Sequence, residues 1–319
     1  MAHPYSALDP VAVLDALEGA GLRGDGRLLT LNSYENRVYQ VWLEDDSSVV
    51  VKFYRPGRWS AAQIEEEHAF ARELAEREIP VVAPTLSGKF QDFIFAVYPR
   101  RGGRPPELGD PKVLEWIGRF LGRIHAVGAV RPFEERPALN PQTFGAEPRA
   151  YLLDNGFVPA ELLEAWKAVT EQALSAVDRC FKLAGNPQQI RLHGDCHPGN
   201  ILWTPGGPHF VDLDDARMGP AVQDLWMLLS GDRATQTRAL SDVLAGYEDF
   251  RELDRRELNL VEALRTLRLI HYSAWIARRW DDPAFPAAFP WFNTTRYWQD
   301  RILELREQIA LMEEEPLRV

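Results

Sequence analysis

The sequence has few cysteines, no long apolar run and a shortage of basic charge, and each lack excludes a class of protein. Only Cys180 and Cys196 occur among 319 residues, so no disulfide framework is expected. No apolar run approaches the length of about 18 residues that a membrane-spanning helix needs. The opening segment MAHPYSALDP lacks the basic and apolar regions of a signal peptide. We therefore expect a cytoplasmic protein with no membrane partner.

The shortage of basic residues argues against a nucleic-acid partner. The chain has 36 Lys and Arg against 47 Asp and Glu, a net charge of -11, whereas binding to a phosphate backbone requires a basic surface. Hydrophobic residues make up 45% of the chain and charged residues 26%, which is typical of a globular enzyme with a large core. The length is sufficient for two lobes, and we expect a monomer.

Strand signals precede helix signals along the chain and predict these two lobes. The strand-like segments RLLTL, RVYQVWL and SSVVVKFY are followed by the amphipathic helix SAAQIEEEHAFARELAEREIP and the buried strand FIFAVYP. The Gly- and Pro-rich stretch RRGGRPPELGDP, residues 100–111, then marks a boundary. Beyond it helical patterns dominate. The pattern predicts a small strand-rich lobe over residues 1–99 and a larger helical lobe over residues 100–319.

Residues 193–200, HGDCHPGN, concentrate titratable side chains and admit three kinds of chemistry. A zinc or iron site could combine the two histidines with Asp195 and Asp212, but no pair of them has a standard ligand spacing. A nucleophilic Cys196 would need a neighbouring base, whereas the adjacent Asp195 raises the pKa of the thiol by charge repulsion. Both interpretations are weak, and phosphoryl transfer is the third.

Phosphoryl transfer explains more of this segment. It requires an aspartate that orients the attacking hydroxyl, followed by an amide oxygen and a carboxylate for Mg²⁺. Asp195 is followed five residues later by Asn200, the D-x-x-x-x-N spacing of a kinase catalytic loop. The segments ILW and HFVD, joined by TPGGP, form a hairpin that can return Asp212 to Asn200 and create an oxygen site for Mg²⁺. We predict Asp195 and Asp212 as catalytic residues and Asn200 and Asp212 as Mg²⁺ ligands.

The same chemistry predicts a lysine on the third strand and a carboxylate on the next helix. Lys52 lies in VVVKFY, where burial of its charge without an anion would be costly. Glu65, Glu66 and Glu67 all lie on the helix, and at least one of them is expected to face solvent. Counting back from the helix end favours Glu67 as the partner of Lys52.

These segments together resemble a known family. HGDCHPGN, FVDLDDA and LGRIHA resemble the aminoglycoside phosphotransferase and choline kinase superfamily, and LNSYENRVYQV, VVVKFYRPGRW and IHYSAWIARRW resemble a bacterial branch of serine/threonine protein kinases. The resemblance implies an α+β, bilobal protein-kinase-like fold and Mg-ATP-dependent phosphorylation of a protein substrate in stress response. A small-molecule kinase acting on an amino alcohol, aminoglycoside or sugar is the alternative. A nucleotide-binding pseudokinase is disfavoured because the motif residues are intact.

The resemblance also assigns residue roles. In the ATP-binding lobe, Lys52 would contact the α- and β-phosphates and pair with Glu67, and Ser33 would lie in the loop that covers the phosphates. NSYENR occupies the place of the G-x-G-x-x-G loop, so a polar turn must cover them. In the catalytic and substrate lobe, Asp195 would be the base, and Asp224 would brace the catalytic loop from a helix start.

Three further signals each allow a functional and a structural interpretation. Arg55 and Arg58 could contact an anion or face solvent, and Cys196 could be a redox switch or a small loop filler. Aromatic residues near the C-terminus could form a cage for a quaternary ammonium group or part of the helical core. These aromatic residues are Trp275, Trp280, Trp291, Phe292 and Trp298.

Overall fold

The computed structural model describes residue 5 and residues 7–319, and the chain divides into two compact units. The first unit comprises Met1–Pro106 and Pro198–Asp214, and the second comprises Glu107–His197 and Asp215–Val319. The strands are β1 (Gly24–Leu31), β2 (Arg37–Leu43), β3 (Ser48–Phe53), β4 (Leu86–Phe90), β5 (Phe93–Pro99), β6 (Ile190–Leu192), β7 (Ile201–Thr204), β8 (Gly207–Phe210) and β9 (Arg217–Gly219). The α-helices are α1 (Pro10–Gly19), α2 (Ala61–Glu76), α3 (Pro111–Gly128), α4 (Glu147–Asp154), α5 (Leu163–Ala184), α6 (Val222–Trp226), α7 (Arg233–Tyr247), α8 (Val261–Ala277), α9 (Ala284–Ala288) and α10 (Thr295–Leu311).

An antiparallel sheet of five strands in the order β1-β2-β3-β5-β4 forms the body of the first unit. Along β3, Val51 and Phe53 point into the core beneath α1, and the intervening Lys52 points to the opposite face. The register places Lys52 opposite Val38 on β2 and Ala96 on β5. The predicted lysine therefore lies on a central strand, and its side chain is only 8% exposed.

Helix α2 begins as its sequence predicts. The Ser60 hydroxyl accepts from the backbone N–H of Gln63, and the Gln63 side chain accepts from the backbone N–H of Ser60, a complete capping box. Ile64, Phe70 and Leu74 lie buried along the same helix. This arrangement also buries Glu67, which is 1% exposed.

The β7–β8 hairpin packs with the first unit although it lies nearly 100 residues further along the chain. Phe210 forms an isolated β-bridge with Val81, and Trp203 forms one with Arg104. Packing therefore assigns residues 100–106 and 198–214 to the first unit, whereas the predicted division placed them in the lobe 100–319. The chain crosses from the second unit to the first within the motif 193–200, between His197 and Pro198.

The second unit is mainly helical. Helices α3 and α7 pack with direct backbone contact, because a Cβ atom on Gly118 would overlap the Val243 carbonyl group. The C-terminal aromatic residues pack on one another, with ring centroids 5.1 Å apart for Trp280 and Phe292 and 5.8 Å apart for Phe292 and Trp298. Phe292 and Trp298 are fully buried. This packing favours the core interpretation for Phe292 and Trp298, whereas Trp291 is 43% exposed.

Within the described part of the chain, no helix is both long enough and apolar enough to cross a membrane. The cytoplasmic location, the monomeric state and the lack of a nucleic-acid partner stay predictions.

Candidate active site

The β7–β8 hairpin forms as its sequence predicts and joins the two residues proposed for Mg²⁺. Asn200 immediately precedes β7, Asp212 follows two residues after β8, and the backbone N–H of Val211 donates to the carbonyl oxygen of Asn200 at 3.0 Å. Asp212 has a φ of 60°, a left-handed conformation that turns the chain sharply out of the strand. Such strained residues concentrate at functional sites.

Lys52 and Asp212 form an ion pair in the first unit, with Nζ 2.6 Å from Oδ1. Burial lowers the pKa of Lys52, but the charge of Asp212, assisted by those of Asp214 and Glu67, raises it well above its ordinary value. Lys52 is therefore cationic at neutral pH. The side chain of Asp212 is 49% exposed, so a carboxylate accessible to solvent lies beside a buried cation.

Glu67 lies in a buried hydrogen-bonded group that includes Tyr54. The Tyr54 hydroxyl donates to Glu67 at 3.0 Å and lies 2.8 Å from Nε2 of His68 and 2.9 Å from the hydroxyl of Tyr98. The Nζ atom of Lys52 lies 5.4 and 5.5 Å from the ring centroids of Tyr54 and Tyr98. Tyr54 therefore lies against both Glu67 and Lys52. The direct pair of Lys52 and Glu67 stays a prediction.

Ser33 lies in the turn between β1 and β2, where the resemblance places the phosphate-covering loop. Its hydroxyl accepts from the backbone N–H of Asn36 at 3.3 Å. This contact orders the turn around Ser33.

In the second unit, Asp195 has an arginine and a histidine as neighbours. Nη1 of Arg268 donates to Oδ1 of Asp195 at 2.6 Å, and Nε2 of His197 lies 3.6 Å from Oδ2. The Asp195 side chain is 23% exposed, and that of Arg268 is 42% exposed. Arg268 lies on α8, 73 residues further along the chain, and no sequence motif connects it to Asp195.

Asp224 braces the loop before Asp195. Its carboxylate accepts from the backbone N–H groups of His193 at 2.8 Å and Gly194 at 2.9 Å, and from Nε2 of His125 at 3.0 Å. The other ring nitrogen of His125 lies 2.9 Å from the Tyr247 hydroxyl. Burial raises the pKa of Asp224, but these donors together lower it below its ordinary value, so the buried carboxylate is ionised. The geometry matches the bracing role that the resemblance implies.

The conformation of this loop accounts for the presence of Gly194 and Cys196. Gly194 has a φ of 87°, and a Cβ atom there would overlap the Asp215 carbonyl oxygen, so only glycine fits. Cys196 is fully buried, and burial, assisted by the charges of Asp224 and Asp195, raises the pKa of its thiol well above the ordinary value. Because a buried, protonated thiol reacts slowly, the loop-filler interpretation is favoured over the redox switch.

The donor set proposed for Mg²⁺ is small. Among the described residues, no group of three or more His, Cys, Asp or Glu side chains could hold a metal ion. An amide oxygen from Asn200 and a carboxylate from Asp212 are hard ligands, and Mg²⁺ usually takes one or two carboxylates and completes its shell with water and substrate phosphates. The residues present fit Mg²⁺ bound together with a nucleotide.

Comparisons with known proteins agree with this chemistry. The model of the APH phosphotransferase enzyme family matches residues 28–261, and the chain belongs to this family of enzymes. Over its full length it is 46% identical to stress response kinase A of Salmonella choleraesuis strain SC-B67, covering 98% of that protein. This resemblance is the one that the longer sequence strings predict. The same identity and coverage apply to serine/threonine protein kinase RdoA of Salmonella typhimurium strain LT2.

A solved structure confirms the fold. Amicoumacin kinase hAmiN in complex with AMP-PNP, Ca²⁺ and Ami superposes with a TM-score of 0.71 at 19% identity, covering 97% of this chain and 95% of that one. The predicted α+β fold of the kinase-like type, with a strand-rich and a helical part, is therefore confirmed.

Proposed function

We propose that this phosphotransferase is a Mg-ATP-dependent serine/threonine protein kinase that acts in stress response. The observation that carries the proposal is the pairing of buried Lys52 with exposed Asp212, which follows the same hairpin that Asn200 precedes. Asp195, at D-x-x-x-x-N spacing before Asn200, supplies the catalytic base. The names of the two relatives support a protein acceptor and a stress role.

In the first unit the proposed ATP-binding residues are Ser33, Lys52 and Glu67. Lys52, held cationic, would bind the α- and β-phosphates, and Glu67 would fix its position through the Tyr54 hydroxyl. Ser33 would lie in the turn over the phosphates. Asn200 and Asp212 would hold Mg²⁺, which when bound neutralises charge on the phosphate oxygens. Asp212 would then exchange its contact with Lys52 for the metal.

In the second unit Asp195 is the proposed catalytic base. It would orient the acceptor hydroxyl and accept its proton as the bond to phosphorus forms. Arg268 contacts Oδ1 of Asp195 directly, so the acceptor hydroxyl must approach the other oxygen or displace the guanidinium group. Asp224 contributes by fixing the backbone of His193 and Gly194, which sets the position of Asp195.

The short segment between Asp214 and α6 favours the small-molecule alternative. Only seven residues, among them the short strand β9, separate Asp214 from the first residue of α6, Val222. Eukaryotic-type protein kinases carry a longer activation loop between the corresponding motif and the next helix. A peptide must therefore bind to other surfaces of the second unit, whereas a small alcohol needs no such platform.

An acceptor panel tests the proposal. The full chain would be incubated with γ-labelled ATP and Mg²⁺ in the presence of a basic protein, an acidic casein-like protein, choline, ethanolamine, homoserine and an aminoglycoside. Label on serine or threonine of a protein is the expected result. Label on a small alcohol alone would support the alternative, and the absence of transfer to any acceptor or to the chain itself would contradict both.

A further inference from the structure

Arg55 and Arg58, which follow β3, are buried in an ion-pair network. Arg58 donates to Oδ2 of Asp214 and lies 3.5 Å from Glu35, and Nε of Arg55 lies 3.0 Å from the Glu35 carboxylate. The four side chains are at most 12% exposed. Two positive and two negative charges therefore balance within the first unit. Neither solvent nor a bound anion is needed to explain the two arginines.

Asn36 connects this network to the turn between β1 and β2. Its side-chain nitrogen donates to Oδ2 of Asp214 at 3.2 Å, and its side-chain oxygen accepts from the backbone N–H of Arg55 at 3.1 Å. The backbone N–H of the same residue donates to Ser33. The turn that carries Ser33 is therefore fixed to Asp214, which follows Asp212 by two residues.

We propose that Asn36 and Arg58 are positioning residues whose contacts with Asp214 hold the β1–β2 turn over the nucleotide phosphates. The sequence has no glycine-rich loop at this place, and the network supplies the order that such a polar turn lacks on its own. Asp214 serves as the anchor of the turn, because its side chain is 4% exposed and its Oδ2 accepts from two donors. This inference rests on the proposed ATP-dependent function.

Nucleotide affinities test the inference. Titration calorimetry of the full chain with Mg²⁺ would compare AMP-PNP, ADP and adenosine for the wild type, Asn36→Ala, Arg58→Met and Asp214→Asn. We expect each variant to weaken AMP-PNP binding about tenfold and adenosine binding less than about twofold, because on the proposed binding mode only the phosphates would lie beneath the turn. The Mg²⁺ concentration for half-maximal AMP-PNP binding should stay unchanged. Arg72→Met, which removes an exposed arginine paired with Glu65, is the matched control.

The outcomes distinguish failure of this inference from failure of the proposed function. Equal weakening of AMP-PNP and adenosine would overturn the inference, because the network would then only stabilise the fold. A raised Mg²⁺ requirement in Asp214→Asn alone would overturn it as well and make Asp214 a ligand. If Arg58→Met shows a lowered unfolding temperature, Asn36→Ala decides, since it removes only a neutral amide. Failure of the wild type to bind AMP-PNP would instead refute the proposed function.

Discussion

Replacement of Asp224 by asparagine removes the charge that braces the catalytic loop. The wild-type carboxylate accepts three hydrogen bonds, from the backbone N–H groups of His193 and Gly194 and from the ring of His125, in a fully buried position. An asparagine offers one acceptor oxygen, and its NH₂ group must face at least one of these donors. One buried donor is then left without a partner beside a repulsive amide.

The expected loss of stability follows from the number of donors left without a partner. An unsatisfied buried donor costs about 1–3 kcal/mol, and loss of the charge that strengthened the remaining bonds adds to it. We expect Asp224→Asn to lower the free energy of unfolding by about 2–4 kcal/mol. Because Asp195 follows the braced backbone directly, we also expect kcat to fall about 100-fold. The KM for ATP should change little, since Lys52 and Asp212 belong to the first unit.

Urea unfolding and steady-state kinetics measure both effects on the same protein. Asp232→Asn is the matched control, because Asp232 caps α7 in an exposed position where asparagine caps equally well. If Asp224→Asn unfolds within about 0.5 kcal/mol of the wild type and retains its kcat, the brace is not a structural requirement and the reasoning fails.

Three other changes give distinct results. Glu257 is buried and its pKa is raised from 4.5 to about 7, so its stabilising contribution is complete below pH 4.5 and is lost as pH rises through 7. Glu257→Gln should remove up to about 3 kcal/mol of this decline in the free energy of unfolding, measured by urea unfolding between pH 4.5 and 8. A pH profile of stability that is unchanged in the variant would contradict the assignment. Tyr54→Phe should raise the KM for ATP about tenfold and show no further effect in combination with Glu67→Gln, because both substitutions remove the same hydrogen bond beside Lys52. Additive effects in steady-state kinetics would argue for a direct contact between Glu67 and Lys52. Gly194→Ala should lower the melting temperature and abolish transfer, since its Cβ would collide with the Asp215 carbonyl oxygen, and a variant with wild-type melting and turnover would disprove the need for glycine.

The features that the sequence predicts correctly are local ones. The spacing of Asp195 and Asn200, the hairpin that ends beside Asp212, and the central strand that carries Lys52 all depend on a few neighbouring residues. Short-range patterns of this kind determine strand, turn and cap formation. The capping box of α2 was predictable for the same reason.

The features that sequence reasoning missed depend on contacts between distant parts of the chain. Arg268 reaches Asp195 from 73 residues away, and Asn36 reaches Asp214 from 178 residues away. Patterns of hydrophobicity and spacing contain no information on such pairs. The packing of the β7–β8 hairpin with the first unit was missed because it depends on bridges to Val81 and Arg104. The hydrogen bond from Tyr54 to Glu67 was missed because Tyr54 belongs to no recognised motif.

Asp195 is the base that we propose for the transfer of the γ-phosphoryl group of ATP. The most direct test is the single-turnover rate of γ-phosphate transfer by wild-type protein and by Asp195→Asn, with saturating Mg-ATP and the acceptor that the panel identifies. Asparagine keeps the size of the side chain and removes the base, so we predict a rate loss of at least about 1000-fold with ATP affinity unchanged. A rate within about tenfold of the wild type would contradict the assignment of Asp195 as the base.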